Sequence, residues 1–461
     1  MRKKALLAML LVMSLALSGC ALIQKDAAVD AATEILRLGD QVYTKEQVMA
    51  RVQSELETAA LYNQLYYGQT LDITDSSIIS QAQDYVVEAL EEEMVLEAKT
   101  KELGLDQLTE EEEAKAREDA QADYDSELSY VKSYELQDSG LEGEELDKAA
   151  EEHLTAEGTT LEKFLESARE SIVSDKLRNY AIKDVTVTDE EVQAEYDSKV
   201  ASAKETYGEN ANSYTSAVNN GSTVYYAPAG VRRVKQILTS FKDEDSTAIS
   251  AANTAISEAN TNITAANNKI SSYQEVIDSE EASAEDKATA QTDLEAAQAE
   301  LTAAQTALEE AQKTLSEATE TAFANIDADT DAILEELANG ADWDTLMAEK
   351  NSDPGMKSGV TAEKGYAVSA DMTSFDSAFV EAAMALEKIG DYSGKIRGTS
   401  YGYYIIKYVS DEPEGAIPLD SVKDTIHDDL LDTKQDETYE AAVDEWVKAA
   451  NVKIDRNALK D

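Results

Sequence analysis

The stretch TSYGYYIIKYVSD, Thr399 to Asp411, opens with a glycine turn and runs on through aromatic and β-branched residues. That composition predicts a strand. Two roles are open to it: a strand of a core, or one wall of a pocket in which Tyr404 has a task. The segments before it are ordered. GVRRVKQILTSF, Gly230 to Phe241, predicts another strand. ILEELANGADWDTLMAEKNSD, Ile333 to Asp353, predicts a helix, a stop at Gly340 and a second short helix. SFDSAFVEAAMALEKIGDYSGKI, Ser374 to Ile396, predicts a helix and a turn.

Between the two strands lies a segment of a different kind. Isoleucines at 249, 256, 263, 270 and 277 keep an unbroken heptad, and leucines at 294, 301, 308 and 315 keep a second. Ala252, Ala259, Ala266 and Tyr273 follow three residues after the first four isoleucines, and Ala297, Ala304, Ala311 and Ala318 three after each leucine. Folded back about an apex near residue 282, Ile270 meets Leu294, Ile263 meets Leu301, Ile256 meets Leu308 and Ile249 meets Leu315. This pattern predicts an antiparallel coiled-coil hairpin over 243–324. Asp327-Ala-Asp-Thr-Asp imitates the start of a calcium loop, but Ala332 and Ala338 stand where such a loop needs Gly and Glu. The acidic run is better read as favouring the start of the helix at Ile333. No metal ligand set is expected, and no cofactor.

Upstream, LRLGDQVYTKEQV, Leu36 to Val48, turns at Gly39-Asp40 and carries a capping box from Thr44 to Gln47. From there to about Ser198 apolar residues recur at helical spacing. Thr188 is a further cap. A polar stretch, Gly208 to Ser222, reads as a link. The tail from Leu419 is helical to Ala450, with Trp446 and Val447 facing a core, and Val452 to Asp455 is a terminal strand. The fold class is therefore α+β.

The composition limits the partners. In 461 residues, Lys+Arg number 40 against Asp+Glu 94, a net charge of −54. Such a chain repels a phosphate backbone, so nucleic acid is excluded as a partner and basic partners are favoured. Cys20 is the only cysteine, so no internal disulfide can form. Ahead of it Arg2, Lys3 and Lys4 form a basic region and Ala5 to Leu17 an apolar run, too short to span a bilayer comfortably. Leu17-Ser18-Gly19-Cys20 resembles the lipobox of bacterial lipoproteins. That resemblance implies cleavage before Cys20, lipidation of its thiol and tethering to the outer face of a cell membrane, in a Gram-positive bacterium.

With the coiled coil removed, the flanking phrases resemble the parvulin-type peptidyl-prolyl isomerase domain over about 100 residues. Four separated phrases occur in that family's order. The helical regions around them, with VTVTDEEV, resemble the chaperone domain of lipoprotein foldases of the PrsA and SurA type. In the parvulin family the closing strand is a pocket wall. Against that pattern, Gln236 replaces the histidine of the first strand and Tyr404 that of the closing strand. The only histidines, His153 and His427, lie outside the matched phrases. The family's Cys or Asp falls at Asp353 or Pro354. Its Gly-Gly-Asp-Leu-Gly is reduced to Lys364-Gly-Tyr-Ala-Val. Phe379 matches the aromatic floor of the proline pocket, Phe375 stands where Met is common, and Thr399 lies beside the closing strand. The resemblance thus implies a pocket of Gln236, Asp353, Phe375, Phe379, Thr399 and Tyr404.

Together these readings divide the chain as follows. A signal peptide spans 1–19 and a lipidated tether 20–34. A helical chaperone domain spans 35–200 and is completed by 419–461. A linker covers 201–227, and a parvulin-like domain 228–411 carries the coiled-coil insertion 243–324. The expected function is folding assistance to unfolded or proline-containing secreted polypeptides, with prolyl isomerase activity weakened by the two histidine replacements. A non-catalytic holdase and a scaffold acting through the coiled coil are the alternatives, and a homodimer is left open.

Overall fold

The structure, a computed structural model, describes residues 27–459. The expected signal peptide, Cys20 and the first part of the expected tether lie outside them. The chain is α+β, mostly helical, and divides into two compact units: residues up to Val187 together with those from Asp429, and Thr188–Asp428. No described helix is long and apolar enough to cross a membrane.

The first unit begins with α1 (Ala27–Ala31), β1 (Glu34–Leu38) and β2 (Gln41–Thr44). Long helices follow: α2 (Lys45–Tyr67), α3 (Ser76–Leu103), α4 (Glu110–Tyr130), α5 (Glu144–Ala156) and α6 (Leu161–Ile182). The Thr44 box forms as the spacing requires: Thr44 N donates to Gln47 Oε1 at 2.9 Å and Gln47 N to Thr44 Oγ1 at 3.4 Å. Ile35, Leu36, Val48, Val52, Val87 and Leu90 close the core between this small sheet and α2 and α3. The later part of the tether is not loose chain, because α1 occupies it and Lys45 pairs with Asp30 at 2.9 Å.

The second unit starts earlier than the sequence pattern places it. α7 (Asp189–Tyr207) and α8 (Ala211–Asn219) both belong to it. The expected linker 201–227 is therefore folded. Its Asn/Ser/Gly composition hides an apolar face of Tyr207, Tyr214 and Val218, and Tyr214 is 1% exposed. Asn219 fixes this segment to the sheet, accepting from Ala367 N at 2.8 Å and donating to Ala367 O at 2.9 Å.

After β3 (Tyr226–Ala227) come β4 (Arg232–Ser240) and the helical hairpin α9 (Asp243–Asp278) and α10 (Ala284–Ala338). The hairpin forms, but the coil does not stop at 324. α10 is one helix of 55 residues, about 82 Å long at 1.5 Å per residue. Its last turns bury Phe323, Ile326, Ile333 and Leu337 in the body of the unit. The acidic run at Asp327 is thus inside a helix rather than at the start of one, and Lys395 pairs with Asp327 and Asp331 at 2.6 and 2.7 Å. In the arm the alanines carry the seam: Ala252, Ala259, Ala266, Ala297, Ala304 and Ala311 are buried, while of the heptad isoleucines and leucines only Leu294 is. Small side chains let two helices approach closely, which leaves the larger neighbours straddling the edge of the seam.

The remaining elements are α11 (Trp343–Lys350), α12 (Gly359–Lys364), β5 (Tyr366–Val368), α13 (Ser377–Ala385), β6 (Ile396–Arg397), β7 (Gly402–Asp411) and β8 (Gly415–Ala416). β4, β5, β6 and β7 form an antiparallel sheet in the order β5-β4-β7-β6. β4 and β7 are central, with Leu238 opposite Tyr404 and Gln236 opposite Ile406. Both faces are covered. Ile237 and Ile405 pack with Ile333, Leu337, Trp343 and Leu346, while Val234, Leu238, Tyr404 and Ile406 pack with α13. Gly402 permits the pairing at its end, since a Cβ there would lie 2.0 Å from the Thr239 carbonyl oxygen. α14 (Lys423–Ala450) is shared between the units, which moves the C-terminal boundary from 419 to 429. β9 (Lys453–Ile454) pairs with β1, Ile454 opposite Leu36.

Candidate functional site

The sheet face that carries Leu238 and Tyr404 opens into a cavity of about 380 Å³. β4 supplies Gln236 and Leu238, and β7 supplies Tyr404. Asp353 and Pro354 come from the turn after α11, Tyr366 from β5, and Phe375, Asp376 and Phe379 from the start of α13. Tyr401, 64% exposed, stands at the mouth. The period of two on β4 aims Gln236 and Leu238 at the same side.

Four rings follow one another along the cavity. Tyr366 and Phe375 lie 5.0 Å apart between centroids, Phe375 and Phe379 5.6 Å, and Phe379 and Tyr404 5.4 Å, each pair close to edge-to-face. That is the stable geometry for aromatic pairs. It gives a rigid apolar floor.

Two carboxylates complete the lining. Asp353 is buried and accepts from Gln236 Nε2 at 2.6 Å, from the Tyr366 hydroxyl at 3.0 Å and from Gly355 N at 2.9 Å. Asn351 supports it by accepting from Asp353 N at 3.0 Å and Leu238 N at 2.8 Å. Asp376 caps α13 by accepting from Ala378 N at 3.0 Å. It also takes Thr399 N at 2.6 Å, Thr399 Oγ1 at 3.0 Å and, more distantly, the Tyr404 hydroxyl at 3.4 Å. Burial pushes the hydroxyl pKa values of Tyr366 and Tyr404 well above the ordinary value, and the neighbouring carboxylates, Asp353 and Asp376 respectively, add to the rise. Both tyrosines therefore stay neutral donors through the physiological range. Gln236 Oε1 is buried with no partner among the described residues.

Of the residues singled out from sequence, Gln236, Asp353, Phe375, Phe379 and Tyr404 line this one cavity, and Thr399 does not. Thr399 acts on it at one remove, through Asp376. Asp353 rather than Pro354 supplies the carboxylate. Tyr366, Asp376 and Tyr401 were not anticipated. For Asp376 a signal existed, an Asp one residue ahead of an apolar helix. For Tyr366 the only signal was Lys364-Gly-Tyr, because Gly365 lets β5 lie close: a Cβ there would sit 2.6 Å from the Val234 carbonyl oxygen. His153, on α5, faces Glu135 at 2.5 Å, and His427 lies on α14; neither lines the cavity.

The arrangement holds no activated nucleophile. It can bind a small apolar ring on the aromatic floor and present hydrogen-bonding groups beside it.

No family model matches the chain. In sequence it is similar to foldase protein PrsA of Clostridium botulinum strain Hall, 32% identical over 130 residues, 28% of this chain and 37% of that protein. It is also similar to foldase protein PrsA of Clostridium kluyveri, 28% identical over 128 residues, 28% of this chain and 36% of that protein. The chain thus spans little more than a third of the length of these relatives. Among solved structures, foldase protein PrsA from Streptococcus pneumoniae is 13% identical with a TM-score of 0.24, over 93% of this chain and 97% of that one. Peptidylprolyl isomerase PrsA from Bacillus anthracis is 18% identical with a TM-score of 0.15, over 60% of this chain and 96% of that one.

Proposed function

We propose that the protein is an extracytoplasmic foldase, lipid-anchored through Cys20, whose second unit carries a parvulin-type module that turns Xaa–Pro bonds in secreted polypeptides. The observation that supports it best is the aromatic floor of Phe375, Phe379 and Tyr404 set beside the Gln236–Asp353 pair. Rotation about an Xaa–Pro bond meets a barrier of about 20 kcal/mol because twisting the amide loses resonance. An apolar floor that holds the proline ring and takes the carbonyl of the preceding residue out of water favours the less polar twisted amide over either planar form. The sequence likeness to PrsA foldases agrees with this reading.

Isomerisation of Xaa–Pro peptides by the soluble form starting at Ala21 tests it. Acceleration above the uncatalysed rate is expected, lowered when Phe379 is replaced. A rate equal to the uncatalysed one would refute the isomerase.

A second reading is a holdase, supported by the C-terminal end of α2. There Leu61, Tyr62, Leu65, Tyr66 and Tyr67 are each more than half exposed. Exposed apolar groups of this kind suit a surface for unfolded chains. Suppressed client aggregation without isomerisation would favour it.

A further inference from the structure

The cavity holds two carboxylates and no basic side chain. Every donor named above to Asp353 and Asp376 is neutral: an amide, a hydroxyl or a backbone N–H. Among the described residues, neither pairs with a Lys or Arg. Neutral donors orient a carboxylate and spread its charge, but they do not cancel it. Ring faces carry the negative end of the aromatic quadrupole. Tyr401 offers such a face at the mouth, 64% exposed. Asp376 has acceptor capacity left, since three of its four donors share Oδ2 and Oδ1 takes only Ala378 N.

We infer that the cavity selects peptides with Lys or Arg directly beside the proline, with Asp376 and Tyr401 taking the cationic side chain while the ring sits on the aromatic floor. This rests on the reading of the cavity as an Xaa–Pro site. Neighbouring residues are 3.8 Å apart at Cα. The flexible stem of a Lys or Arg next to the bound proline can therefore reach the mouth without drawing its charge into the interior. The same field disfavours Asp or Glu at that place.

The test uses tetrapeptides that place Lys, Ala or Glu on either side of one proline. Exchange between cis and trans is followed by NMR, without a coupling protease, and binding by anisotropy of the labelled peptides, with the chain starting at Ala21. A Lys-over-Glu preference of about tenfold is expected at low salt. It should shrink as ionic strength rises, because the mouth is open to solvent. In Asp376→Asn, which retains a capping side chain, the Lys/Glu ratio should fall towards one. The ratio is read whatever the overall rate, so a weaker variant still reports it, and the salt titration needs no variant. Equal isomerisation and equal binding of the three peptides would overturn the inference while leaving the isomerase standing. Selective binding of the Lys peptide with no isomerisation would refute the isomerase and keep the selectivity. Absence of both binding and isomerisation for all three peptides would overturn both.

Discussion

Gln236 and Tyr404 stand where sequence comparison expects histidines, and the structure gives them unequal weight. Gln236 makes a 2.6 Å bond to a buried carboxylate, whereas the Tyr404 hydroxyl reaches Asp376 only at 3.4 Å. Removing a donor from a buried acceptor costs about 1–3 kcal/mol, and a long bond at a half-open site costs less. Gln236→Met should therefore lower kcat/KM for a proline peptide about tenfold or more, and Tyr404→Phe less than threefold. An equal loss in both would show that the two positions act as one network. Phe379→Leu should keep the fold and lower binding of the proline ring, which a higher KM would report. The ring residues were readable in the sequence because they fall in ordered phrases of a strand and a helix. Tyr366 was not, since it lies on a short strand whose partner is far along the chain, and Tyr401 was not, since it stands in the turn ahead of β7.

The tyrosines also set an alkaline limit. Burial raises the hydroxyl pKa of Tyr214 to about 12 and also pushes those of Tyr366 and Tyr404 up. The unfolded value is near 10, so folding stabilises the protonated form. That stability is whole below about pH 10 and is lost as the pH rises through the folded values. Melts of the protein between pH 8 and 11.5 should show a constant Tm to about pH 10 and a fall beyond it, smaller in Tyr214→Phe. Between pH 6 and 8 isomerisation should be flat, since no histidine lines the cavity.

Among the elements, the arm was the most legible and its root the least. Heptads declare a coiled coil, but they give no stop signal when a helix passes from a seam into a sheet-covering role without glycine or proline. The segment from Leu315 to Ile333 is rich in Ala, Thr, Glu and Asp, which suits either use. Phe323 decides it, packing edge-on to Phe241 at 4.8 Å and lying under Arg397 at 4.0 Å. Excision of 243–324 with a short loop would remove that ring and cost about 3–5 kcal/mol. Excision of 253–311 cuts only the seam. It should leave a cooperative melt within a few degrees of the parent, because loop closure depends weakly on length. Loss of that melt would show that the arm supports the body.

At the scale of the whole molecule, the proposed lipid anchor at Cys20 makes the remaining prediction. Cys20→Ala should release the protein from the membrane or leave it unprocessed, as fractionation and mass spectrometry would report. Unchanged fractionation and normal processing would remove the anchor from the account. Polar composition misled over 201–227, inside the second unit, where Tyr207 of α7 and Ala211, Tyr214 and Val218 of α8 join a core cluster in a stretch that reads as solvent-borne.

From Asp243 to Ala338 there is no glycine and no proline. The two helices therefore have no hinge, and the arm can tilt only by turning about its root. A sideways pull at the apex becomes a torque at Phe323 and at the Arg397–Glu320 and Lys395–Asp327 pairs. Two residues beyond Arg397 is Thr399, whose amide holds Asp376 at the cavity mouth. The arm is thus a lever whose fulcrum lies beside the cavity, and a load at its tip would be felt there as a change of geometry rather than as a contact.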